Sequence, residues 1–187
     1  MTTPTQLQPT LWRTCRAIAN RTRLQIFGLL LQNSDLTVSA VATRLKLPLP
    51  VASEYLRILE ARGLLSVQRV GRRVKYRPGP ATGEAPTAKL VAALRGTFQL
   101  DREPVETVFK LATAFTHPRR IQIFRTLSSA PGTLEELHAA TSIPFRTMHR
   151  HLRKLEDRGF VISQLDRYAA LSRSDPLGRE LARLARQ

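Results

Sequence analysis

Arg146, Thr147, His149 and Arg150 fall within five consecutive positions, with Arg153 and Lys154 directly behind them. On a helix, residues three and four apart share a face, so this spacing lays a cationic stripe along one side. An arginine so held can donate two hydrogen bonds to a guanine edge, a pairing worth roughly 1–3 kcal/mol of discrimination. A second basic group lies in the first half of the chain: Arg69, Arg72, Arg73, Lys75 and Arg77. These alternate with apolar residues around a glycine, which suits a hairpin laid along a phosphate backbone. Such contacts orient a duplex and strengthen binding but carry little sequence information. Ser53 and Arg57, two further polar candidates, precede that hairpin.

Other chemistries find less support. His149 and His151 are two apart and point to different helix faces. With His117 and His138 they form no spacing that supplies three or four convergent metal ligands, so no metal and no cofactor is expected. Cys15, the one cysteine, cannot form an internal disulfide and reads as a buried thiol in a reducing cytoplasm. No nucleophile elbow, glycine-rich phosphate loop or zinc-hydrolase helix is present, and the chain is not expected to be an enzyme.

The charge agrees with the polyanion reading. Lys plus Arg number 30 against 14 Asp plus Glu, a formal net charge of +16. Residues 1–94 carry 14 and 4 of these, and residues 95–187 carry 16 and 10, so both halves are basic. Nucleic acid is the commonest partner of such a surface. The longest apolar run, Ile26 to Leu31, is too short for a bilayer, and no secretory signal is visible near Met1.

The elements that must hold these residues come in two copies. Leu24-Gln25-Ile26-Phe27 recurs as Ile121-Gln122-Ile123-Phe124, 97 positions on. Leu56-Arg57, Leu59-Glu60 and Arg62-Gly63 recur as Leu152-Arg153, Leu155-Glu156 and Arg158-Gly159, 96 positions on. Trp12 and Ile18 match Phe109 and Phe115. Two homologous units follow: 1–80, a linker with a bridging helix over 81–103, and 104–187. Pro78 to Pro86 is rich in breakers and forms the loop between them.

Each unit reads as helices, a hairpin and a flanking helix. In the first, the pattern predicts helices over Leu11–Ala19, Arg21–Leu31 and Val38–Lys46, the last capped by Thr37. A fourth follows Pro48 to about Arg62 and stops at Gly63. Strands are expected over Leu64–Arg69 and Arg73–Tyr76, and a bridging helix over Thr87–Leu100. In the second unit, Thr133 and Glu136 make a capping box for a helix to Thr141. A helix over Phe145–Arg158, strands Phe160–Leu165 and Tyr168–Leu171 turning at Asp166-Arg167, and a helix capped by Asp175 complete it. The class is mainly α with small β-hairpins (α+β), as tandem winged helix-turn-helix domains.

The segments Arg21 to Leu30, Ser53 to Leu65 and Gly71 to Arg77 resemble the opening, recognition helix and wing of the ArsR-type winged-helix repressors. Pro118 to Phe124 and Thr147 to Glu156 fit the same pattern in the second unit. The resemblance implies a cytoplasmic, nucleoid-associated prokaryotic regulator that binds double-stranded operator DNA as a two-fold dimer. Two departures stand out. The helix Val38 to Leu45 lacks the cysteines through which many members sense metals, and Pro48-Leu49-Pro50-Val51 with Glu54 replaces the usual polar start of a reading helix. A tandem chain can act alone as a pseudo-dimer, or two chains can associate. The faces Leu90-Val91-Leu94-Phe98 and Leu177-Leu181-Leu184 are candidates for either interface. A winged-helix scaffold for protein partners is the alternative. RNA binding is a third reading, disfavoured because no aromatic stacking platforms stand out.

Overall fold

The computed structural model describes residues 10–71, 73–80 and 87–187, apart from the side chains of residues 70 and 73. The expectations for Met1 to Gln6, for Arg72 and for Ala81 to Pro86 fall outside these residues.

In the first unit α1 (Leu11–Ile18) and α2 (Arg21–Gln32) meet at Asn20, whose side chain accepts a hydrogen bond from the Arg23 amide and starts α2. β1 (Leu36–Thr37) follows, and Thr37 then caps α3 (Val38–Leu45) through the Ala40 amide. Lys46 takes the left-handed conformation at the end of α3. After Leu47-Pro48 the chain enters α4 (Leu49–Glu60), which buries Ala52, Leu56 and Leu59. Gly63 turns it with φ +66°, and the hairpin β2 (Leu65–Val70) and β3 (Arg73–Pro78) comes next. The sheet order is β1-β3-β2, all antiparallel, with Leu36 opposite Tyr76. β1 was not foreseen, and α4 stops about two residues short of the expected end.

The linker helix does more than bridge. α5 (Ala88–Leu100) sets Phe98 5.7 Å from the Phe27 ring, ring to ring, and against Gly28 of α2. It therefore shares the core of the first unit.

The second unit repeats this plan. α6 (Pro104–Ala112) runs into a short 3-10 helix, Thr113–Phe115, then α7 (Pro118–Ser129) is capped by His117. α8 (Leu134–Thr141) carries the expected capping box of Thr133 and Glu136, and Ser142 takes the left-handed place that Lys46 takes earlier. α9 (Phe145–Glu156) buries Met148, His151, Leu152 and Leu155. Gly159 turns the chain with φ +69°, as Gly63 does. β4 (Val161–Gln164) and β5 (Arg167–Ala170) pair antiparallel, and an isolated bridge between Gly132 and Tyr168 takes the place of β1. The turn lies at Leu165-Asp166, one residue earlier than expected, with φ +47° and +62°. Positive φ at both positions is the two-residue hairpin geometry that matches strand twist. α10 (Pro176–Arg186), capped by Asp175, closes the chain.

The interior of the second unit centres on Phe115, Phe124 and Phe160, with Phe115 5.2 Å from Phe124 and 4.7 Å from Phe160 between centroids. Edge-on pairs of this kind add roughly 0.5–1.5 kcal/mol each beyond area burial. The two units pack like on like. α1 lies against α6 and the 3-10 turn, and α5 lies along α10. Leu90, Val91 and Leu94 are buried with Leu177 and Leu181, while Leu184 is partly buried beside them. Corresponding elements meeting each other is the pattern of an isologous contact, here within a single chain.

Candidate nucleic-acid interface

The stripe on α9 is set by its buried side. Met148, Leu152 and Leu155 anchor the helix in the core, so Arg146, His149, Arg150 and Arg153 fall on the opposite face and are exposed. Thr147 and Lys154 flank it and are half-buried. Neither α4 nor α9 has a side-chain cap, since Pro48 and Pro144 stand at the cap positions. The first-turn amides of both helices are left without a side-chain acceptor, and the positive dipole end favours an anion there.

Local electrostatics on α9 are strongly positive. Burial, followed by Arg120, Arg119, Arg150 and Arg16, holds the His117 imidazole below the usual histidine range. His151, only 3% exposed, is pushed down to about 4 by burial, then by His117, Arg120, Arg150 and Arg119. Its ring lies 4.7 Å from that of His117, and neither ring nitrogen has a hydrogen-bond partner among the described residues. Burial also lowers Lys154, with Arg158 and Arg120 adding to it. His151 and His149 face opposite ways, the first inward and the second outward. Among the described residues no three metal-binding side chains converge. Cys15 is buried, and desolvation raises its thiol far above the ordinary range.

The first unit is arranged differently. On α4, Arg57 donates to Ser53 Oγ at 3.0 Å, beside an exposed Glu54. In the first hairpin Arg69 is exposed and Lys75 half-buried. Arg73 belongs to β3, with its side chain outside the described set. Arg77 is exposed yet paired, donating to both carboxylate oxygens of Asp35. That carboxyl sits below its usual range because of the Arg77 hydrogen bonds. The five basic residues assigned to this hairpin are therefore not equivalent, since Arg77 is already neutralised within the protein.

Two features escaped the sequence reading. Phe145 opens α9 and remains 42% exposed, its ring 4.4 Å from that of His138. It stands 96 positions after Leu49, which opens α4 and is 54% exposed. The repeat offset carried that signal. The second hairpin has one cation, Arg167, and it is tied back: Nη2 donates to the Pro131 carbonyl at 2.8 Å and lies 3.4 Å from Glu136. The tip of that hairpin is instead Leu165, 98% exposed.

A family model described as winged helix-turn-helix DNA-binding matches residues 20–66. Another, described as a helix-turn-helix domain, matches residues 115–164. The two matches fall one in each unit and take in α4 and α9. They support a DNA-binding winged helix-turn-helix regulator. No curated protein matches the chain. The fold is the α+β tandem winged-helix arrangement expected from the sequence. Among the described residues no helix is long and apolar enough to cross a membrane.

Proposed function

We propose that the chain is a sequence-specific regulator of the ArsR-like type, acting as a repressor on double-stranded DNA. One observation carries this reading: Arg146, His149, Arg150 and Arg153 form an exposed stripe on a helix whose other side is locked in the core. In this reading α9 enters the major groove, and Arg146 and Arg150 address guanine edges. Thr147, His149, Arg153 and Lys154 complete the surface, while Arg69, Arg72, Arg73 and Lys75 meet phosphates on the adjoining unit. Ser53 and Arg57 lie on α4, whose apolar start reads bases less well.

The like-on-like packing of α1 with α6 and α5 with α10 favours a covalent pseudo-dimer over a dimer of tandem chains. The linker then keeps the second module at an effective concentration of roughly millimolar. Because α4 and α9 differ, the target is an asymmetric site. Selection of bound sequences from a random duplex library, followed by salt titration, tests this. A defined motif with affinity falling steeply with salt is expected. Recovery of no motif would leave the scaffold reading, for which the exposed Leu49 between Pro48 and Pro50 is the supporting observation.

A further inference from the structure

Pairing corresponding helices creates two equivalent clefts, one beside α6 and one beside α1. The chain closes the first. Arg21, at the start of α2, lays its guanidinium 4.1 Å from the Phe109 centroid and donates to Glu106 at 2.5 and 2.7 Å. Farther along α2, Gly28 makes room for the Phe98 ring.

At the second cleft three of these residues are changed. Pro118 stands 97 positions after Arg21, Trp12 stands 97 before Phe109, and Arg125 stands 97 after Gly28. Proline carries no guanidinium to fill the place that Arg21 takes in the first cleft, and among the described residues the space beside the indole stays open. It forms a cavity of about 460 Å³ lined by Trp12, Thr14, Leu90, Ile121, Arg125 and Leu184 among others. That volume lies within the range of small-molecule sites, which join an apolar lining to a few fixed polar groups.

The lining states what fits. Leu90 is buried, and Ile121, Leu184 and the indole offer an apolar wall. Thr14 is buried and lines the cavity. Among the described residues of the lining Arg125 carries the one charged side chain, and no described Asp or Glu pairs with it. Arg13 and Arg16 hold their guanidinium carbons 4.9 and 5.8 Å from the Trp12 ring centroid, adding positive charge nearby. Among the described residues no Asp or Glu lines the cavity.

We propose that this cleft binds a small aromatic carboxylate, its ring against Trp12 and its carboxylate on Arg125. A planar guanidinium can take a carboxylate through two parallel hydrogen bonds. The assignment is independent of the DNA-binding reading and is tested without DNA.

Trp12 is the one tryptophan, so the indole N–H peak in a nitrogen–proton correlation spectrum reports on this cavity alone. Titration of the full chain with 2-naphthoate should move that peak saturably, and the neutral 2-naphthylmethanol should bind at least about tenfold more weakly. Arg125→Met should weaken 2-naphthoate by about tenfold or more, and Arg125→Lys by less, with the melting temperature of both unchanged. A non-saturating shift, equal binding of the neutral analogue, or undiminished binding to folded Arg125→Met would overturn the proposal.

Discussion

Arg23 and Arg120 make the same pair of hydrogen bonds 97 positions apart. Arg23 Nε donates to the Ala17 carbonyl at 2.5 Å and Nη2 to Arg16 at 2.8 Å. Arg120 Nε donates to the Ala114 carbonyl at 2.5 Å and Nη2 to Thr113 at 3.1 Å. Each guanidinium thus satisfies carbonyls left over where the preceding helix ends, and fixes the entry of the following helix. Removing either donor takes both bonds away, in partly buried places except at the exposed Arg16 carbonyl. Arg120→Met should cost about 1–3 kcal/mol in urea unfolding, and Arg23→Met a similar amount.

The contrast between α9 and the first hairpin yields a second prediction. Arg150→Ala should weaken specific DNA binding by about 1–3 kcal/mol and relax the preference at a single base position. Arg69→Ala should weaken specific and random duplexes alike, and flatten the salt dependence by about one contact. Arg77→Ala combined with Asp35→Asn should change DNA affinity little, because the two charges already cancel. Fluorescence anisotropy on selected and random duplexes over a salt series separates the three.

His151 predicts an acid-side loss of stability. Its pKa falls from 6.5 to about 4, through burial first and then its cationic neighbours. Between those values the unfolded chain binds the proton and the folded chain does not. Stability is therefore full above about pH 6.5 and declines as pH falls towards about 4. His151→Leu, of similar volume and without a titrating ring, should flatten that slope in urea melts followed between pH 7 and 4.5.

The α5–α10 contact makes a fourth prediction. Leu94 and Leu181 are fully buried. Leu94→Ala and Leu181→Ala should each cost about 2–5 kcal/mol at every protein concentration, because the interface is intramolecular. Sedimentation should find a monomer, and the melting temperature should not depend on concentration.

Much of this architecture was legible because it rests on local rules. Gly63 and Gly159 marked helix ends, Thr133 with Glu136 marked a start, and the period of Met148, Leu152 and Leu155 placed the cationic stripe outward. What was missed depends on distant partners or short segments. β1 has two residues, too few for an alternating pattern to register. Arg77 meets an aspartate 42 positions away, and Arg167 bonds a carbonyl 36 positions away, so neither pairing leaves a mark in the nearby sequence. The Leu165-Asp166 turn contains no glycine or asparagine to announce its positive φ values.

The mismatch between Arg21 and Pro118 has an inherited consequence. In an assembly of two identical chains, every substitution is written on both sides of the axis at once. Here one gene carries both sides at separate codons, so a change on one flank leaves its twin as it was. One flank could keep its ion pair as a rivet while the other gave it up, a division of labour closed to a symmetric pair.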